Sequence, residues 1–243
     1  MRGTSQVDPE AQSLMSRARW AGGVYILYFL TALPLNLRSA LIVPSDASAT
    51  AAKINASASL YRLTVVSDLI SYVLYIALAY LLYTLLRHVN RTWAAIGTLF
   101  TLVGCVVLVV STATLAVPLL LVTGNAGQGM GIAERQELAL LALKLFSQAY
   151  IIALFFFGAQ WLVMGYLFTV SKLIPRLIGY LLLLAGVGWV VLSVGTLLAP
   201  TTSSQIGAFV MPVGALAEIA LALWLLIKGV RLDDHSRVQS GDD

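Results

Sequence analysis

The sequence predicts an all-α integral membrane protein: a six-span helical bundle, both termini cytoplasmic, with a short amphipathic helix between spans one and two. Three observations carry this. Hydrophobic residues make up 59% of the chain and charged residues 11%, with a mean hydropathy of +0.89, values foreign to a soluble globule. Six apolar runs, about 20–37, 63–86, 93–122, 148–171, 177–198 and 206–227, are long enough to cross a bilayer. The basic residues sit singly at the ends of those runs instead of clustering, so the net charge of +4 marks topology and not a nucleic-acid partner.

Taken in order, residues 1–13 are polar and aperiodic and read as a mobile tail. The membrane domain occupies 14–231, and 232–243 read as a disordered tail. Arg17 and Arg19 precede the first run, which is read as an uncleaved span because the run is long and no convincing small-x-small cleavage site follows it. Pro44, Ser45 and Asp46 then stop the chain and cap an alanine-rich helix whose stripe is Ala47, Ala51, Ile54, Ala58 and Tyr61.

The second span carries Asp68. At about 100° per residue, Tyr61, Thr64, Asp68, Ser71, Tyr72, Tyr75, Ala79 and Tyr83 share one face. Val66, Ile70, Val73, Ala77 and Leu81 make the other. A carboxylate facing lipid costs roughly 3 kcal/mol even on lenient insertion scales, so the acidic, hydroxylated face is expected to look into the protein.

The third span places Gly97, Gly104, Ser111 and Pro118 seven residues apart, a groove for a neighbouring helix. A glycine-rich loop leads into the fourth helix, expected from near Glu134 to Ser171, whose first part carries Lys144 and overshoots the bilayer. Gly158 and Gly165 keep the seven-residue spacing there, as Gly179 with Gly186, and Gly188 with Gly195, do in the fifth span. The sixth span carries Glu218. Eleven Leu, Ile, Val or Phe residues supply about 5 kcal/mol of insertion against roughly 3 for the acid, so it still inserts. Its stripe of Gly207, Met211, Gly214 and Ala222 turns Glu218 inward.

Orientation follows from counting. With the N-terminus cytoplasmic, that side holds ten basic residues (Arg2, Arg17, Arg19, Arg87, Arg91, Lys172, Arg176, Lys228, Arg231, Arg237) and the other five (Arg38, Lys53, Arg62, Arg135, Lys144). Trp20, Trp93 and Trp224 then share the cytoplasmic interface. Pro34, Pro118 and Pro212 fall in the outer parts of their spans, where kinks would open a polar vestibule.

No cofactor or metal is expected. The two histidines, His88 and His235, lie outside the spans, Cys105 is the sole cysteine, and no GxxxxGK[ST], CxxC or HExxH occurs.

The run LIVPSDASATAAKI, Arg62 with Asp68, the turn LLRHVNR, FFG and GYL in the fourth span, IPRLIG, and the closing GALAEIALALWLLIKGV together resemble a bacterial multi-span family, domain of unknown function 4386. The resemblance covers roughly Arg19 to Val230 and implies a compact six-helix domain in a bacterial cytoplasmic membrane, with no established activity. It also implies that members often carry histidine where Gln160 stands, and acidic or histidine residues where Lys144, Phe146 and Ile151 stand. Chemistry depending on those groups would be lost here.

The candidate ligand-binding set is therefore Asp68, Tyr72, Tyr75, Gln160 and Glu218, with Arg62 or Lys144 as salt-bridge partners for Asp68. Asp68 lies about five residues from the outer boundary and Glu218 about twelve, a depth difference of roughly 10 Å at 1.5 Å per residue, so they are not expected to form a dyad. The favoured reading is non-enzymatic binding or transport of a small or lipidic molecule through the outward vestibule. The alternatives are an accessory or scaffold subunit docking another membrane protein by its glycine seams, a structural role for the acids, and an intramembrane enzyme using Asp68 and Glu218. Beyond the lipid bilayer and such a ligand or protein, no nucleic-acid partner is expected.

Overall fold

The computed structural model describes residues 9–199 and 203–231. The predicted tail segments at 1–8 and 232–243 lie outside the described residues. Every regular element among the described residues is helical: α1 (Pro9–Ala32), α2 (Pro34–Leu41), α3 (Ala47–Ala56), α4 (Ala58–Leu86), α5 (Arg91–Thr112), a 3-10 turn (Ala113–Leu115), α6 (Ala116–Val122), α7 (Ile132–Ser171), α8 (Arg176–Leu198) and α9 (Ser203–Ile227). Six stretches are long and apolar enough to cross a membrane: Ala11–Leu41, Ala58–Leu86, Arg91–Val122, Ile132–Ser171, Arg176–Leu198 and Gln205–Ile227. Residues 9–13 of the expected tail are helical. α1 is helical from Pro9, the first described residue.

The spans pack as a ring in chain order. α1 packs on α4, α4 on α5, α5 on α7, α7 on α8 and α8 on α9, and α9 closes back onto α1. Short connections favour such neighbours. The glycine seams set how closely they approach. Gly97 and Gly104 of α5 lie against Met164 and Phe157 of α7. A methyl group at Gly158 would sit 2.8 Å from the carbonyl oxygen of Gly186, and one at Gly165 would sit 3.2 Å from that of Gly179, so α7 and α8 meet backbone to backbone. The seams are consumed within the bundle.

The short helix forms as expected, with one correction. Asp46 caps α3, its carboxylate accepting from the Ala49 N–H at 2.8 Å and from the Ser48 hydroxyl at 2.9 Å. The stripe breaks at Ser57, so Ala47, Thr50, Ala51 and Ile54 are the buried residues of α3 while Tyr61 belongs to α4. α3 lies on α6 and on the extended first part of α7. That 40-residue helix is about 60 Å long, twice the hydrocarbon thickness, and its excess length supports α3.

Two of the three prolines mark interruptions. The first span breaks at Leu33 ahead of Pro34, and the third tightens into the 3-10 turn ahead of Pro118. α9 runs through Pro212 without a break. The polar face of α4 meets both interruptions: the Ser67 hydroxyl donates to the Thr31 carbonyl at 2.6 Å, and the Tyr61 hydroxyl to the Leu115 carbonyl at 2.9 Å. Backbone carbonyls at a break inside hydrocarbon need such donors, which gives part of the hydroxylated face a structural task.

Candidate functional site

The two faces of α4 separate as their composition requires. Val66, Ile70 and Val73 are exposed, while Tyr61, Thr64, Asp68, Ser71, Tyr75 and Ala79 are buried. Inside the ring, Asp68, Tyr72 and Tyr75 line a partly enclosed cavity of about 240 Å³ together with Glu218 of α9. The lining also includes Arg38 from α2 and the rings of Tyr28, Phe29, Phe146, Tyr150, Phe157 and Trp189. Gln160 is not in the lining. It is buried directly behind it, its amide Nε2 donating to the Tyr75 hydroxyl at 3.3 Å. The five residues singled out from the sequence therefore converge on one place.

The partner of Asp68 is Arg38, a correction to the expectation of Arg62 or Lys144. Arg38 donates through Nη1 to the Asp68 carboxylate, and both side chains are buried. Its guanidinium carbon stands 5.0 Å from the centre of the Phe146 ring. Arg62 and Lys144 are exposed. The physical reason is the proline break: the chain continues past Pro34 as α2, which carries Arg38 inward over the cavity instead of leaving it at the membrane boundary. The Nη2 nitrogen of Arg38 is buried without a hydrogen-bond partner. Such an atom is costly unless an acceptor meets it.

Glu218 is half-buried and held by neutral donors. The Tyr25 hydroxyl donates to Oε2 at 2.7 Å and the Trp161 indole N–H to Oε1 at 3.2 Å. Tyr25 is fixed by stacking on Phe29, centroids 4.9 Å apart, and by an edge contact with Tyr75 at 6.5 Å. Tyr75 in turn meets Phe157 edge-on at 5.3 Å. Asp68 and Glu218 thus line one cavity, each bound to its own partners and not to one another. Among the described residues no group of three or more His, Cys, Asp or Glu side chains is placed to hold a metal ion.

Several contributors escaped the sequence reading. Tyr25, Tyr28 and Phe29 fall at i, i+3 and i+4 on the first span, a spacing that could have flagged an aromatic inner face. Arg38 was counted as an outer boundary charge. Trp161 and Trp189 gave no signal, since an apolar span holding one tryptophan reads alike whether that residue faces lipid or core.

The family model described as domain of unknown function (DUF4386) matches residues 20–229. No curated protein and no solved structure matches the chain.

Proposed function

The chain belongs to the family of the domain of unknown function DUF4386, whose description assigns no activity, and from that premise we propose that it binds a small or lipidic molecule in the cavity between its six spans. The observation that carries this reading is the cavity itself: about 240 Å³ walled by aromatic rings, with the Arg38–Asp68 pair and Glu218 in its lining. An apolar wall with a few convergent polar groups is the usual make-up of a ligand site, and the volume suits a small ligand or one part of a larger one. The spare Nη2 of Arg38 supports the reading further, because a bound acceptor would complete its hydrogen bonding.

The catalytic alternative has less support. Each acid is committed to its own partners, and no nucleophile and base stand paired in the lining. The scaffold reading, motivated also by compact size and short loops, expected docking through the glycine seams, and the seam glycines of α5, α7 and α8 lie against neighbouring spans. We place both termini in the cytoplasm from the ten-to-five split of basic residues, and the protein in a bacterial cytoplasmic membrane from its resemblance to a bacterial multi-span family.

Native mass spectrometry of the protein released gently from its own membrane tests the binding reading. The expected result is a stoichiometric adduct that disappears in Ala215→Phe, which fills the cavity from α9. An adduct retained in that variant, or no adduct in the parent protein, would refute it.

A further inference from the structure

Resting on that cavity reading, we propose that the ligand is a membrane-partitioned organic cation, an ammonium group on an apolar body, held against Glu218 and admitted sideways from the bilayer past α9. The argument begins with charge. Three charged side chains line the cavity: Arg38, Asp68 and Glu218. Arg38 and Asp68 neutralise each other. Glu218 receives hydrogen bonds from Tyr25 and Trp161, which are neutral, and among the described residues it makes no ion pair. With Glu218 ionised, the lining therefore carries one negative charge more than it balances. Low-dielectric surroundings penalise an unbalanced carboxylate heavily, and a ligand cation removes that penalty.

Aromatic lining adds to the same preference. Ring faces attract ammonium groups, most strongly where water is excluded, and the rings of Tyr28, Phe29, Tyr75 and Trp189 line the cavity together with Glu218. An anionic ligand fits worse. At the spare Nη2 of Arg38 it would share one guanidinium with Asp68 and add a third negative charge to the lining. That nitrogen suits a neutral acceptor on the ligand, a carbonyl or hydroxyl oxygen.

The route follows from exposure. Of the lining residues, Met211 and Ala215 are exposed, one turn apart on α9, so the cavity reaches the outside of the bundle beside them. They stand six and ten residues into the Gln205–Ile227 span, about 9 and 15 Å from its end at 1.5 Å per residue, which is hydrocarbon depth. Near the opposite end α1 and α9 are closed, with the Leu226 backbone pressed against Gly22. A molecule entering beside Met211 comes from lipid, so it must partition there first.

The test uses the full chain in nanodiscs of phosphatidylglycerol, a lipid without an ammonium group, titrated while tryptophan fluorescence is followed. The probes are benzyltrimethylammonium and neopentylbenzene, its uncharged carbon isostere. The expected result is saturable binding of the cation, at least tenfold tighter than the isostere, and at least tenfold weaker in Glu218→Gln. The isostere comparison needs no variant, so it holds even if Glu218→Gln fails to fold. Equal affinity for the two probes, or cation binding unchanged in Glu218→Gln, overturns the cation proposal; the cavity reading then survives if Ala215→Phe abolishes binding of the isostere. No binding of either probe overturns the proposal as well, and the native-spectrum adduct then decides the cavity reading separately. Competition by added phosphatidylethanolamine would identify a lipid headgroup as the source of the ammonium, and no competition a free amphiphilic amine; both uphold the class.

Discussion

Replacing Asp68 by asparagine removes the counter-ion of a guanidinium that is 2% exposed while leaving an amide oxygen to accept from Nη1. What is lost is charge compensation, with shape and one hydrogen bond retained. Arg38 already holds one unpartnered nitrogen, so its remaining support is the Phe146 ring. Breaking one side of a buried pair costs about 3–5 kcal/mol, whereas replacing both members with apolar residues of similar size is often close to neutral. We therefore expect Asp68→Asn to destabilise by about 3 kcal/mol, Arg38→Met by a similar amount, and the double variant Arg38→Met/Asp68→Leu by about 1 kcal/mol or less. Reversible unfolding in mixed micelles of dodecyl sulfate and a mild detergent, followed by tryptophan fluorescence, measures all three. A cost below about 1 kcal/mol for Asp68→Asn, the size of an exposed pair, would refute the buried-pair argument, because the charges would then be solvated in the membrane-embedded protein.

Three further outcomes follow from other contacts. Gly158→Leu should prevent the approach of α7 to α8, because a Cβ alone would lie 2.8 Å from the Gly186 carbonyl, and its yield of monodisperse protein on size exclusion should collapse; wild-type behaviour would mean the seam is not close-packed. Tyr61→Phe should cost about 1–2 kcal/mol in the micelle assay by stranding the Leu115 carbonyl at the 3-10 turn, and a neutral result would show that the carbonyl finds another donor. The Asp46 carboxyl is held below the usual carboxylate range by the Ala49 N–H and then by Ser48, so its cap is complete above the unfolded pKa of about 3.9 and fades as pH falls through the lower folded value. Amide exchange at Ala49 should accelerate only in that acidic window, and exchange indifferent to pH beyond the intrinsic chemical rate would show that the cap does not order α3.

Helical class, the six spans and the inward face of α4 were legible in the residues alone. Those follow from local quantities: hydrocarbon length, a 3.6-residue period, and the cost of a carboxylate in lipid. The same face placed Asp68, Tyr72 and Tyr75 together, and the small-residue stripe on the sixth span turned Glu218 toward them. Which residues meet depends on how the helices pack. The break before Pro34 carries Arg38 over the cavity to Asp68, an outcome invisible to a count that treats every basic residue near a run end as a boundary marker. The ring closure of α9 on α1 brings Tyr25 to Glu218 across 193 residues of sequence. The packing of α7 between α5 and α8 likewise turns the seam glycines toward neighbouring spans, since a small-residue stripe reads identically whether it packs inside one chain or against another, and only the position of the facing helix separates the two.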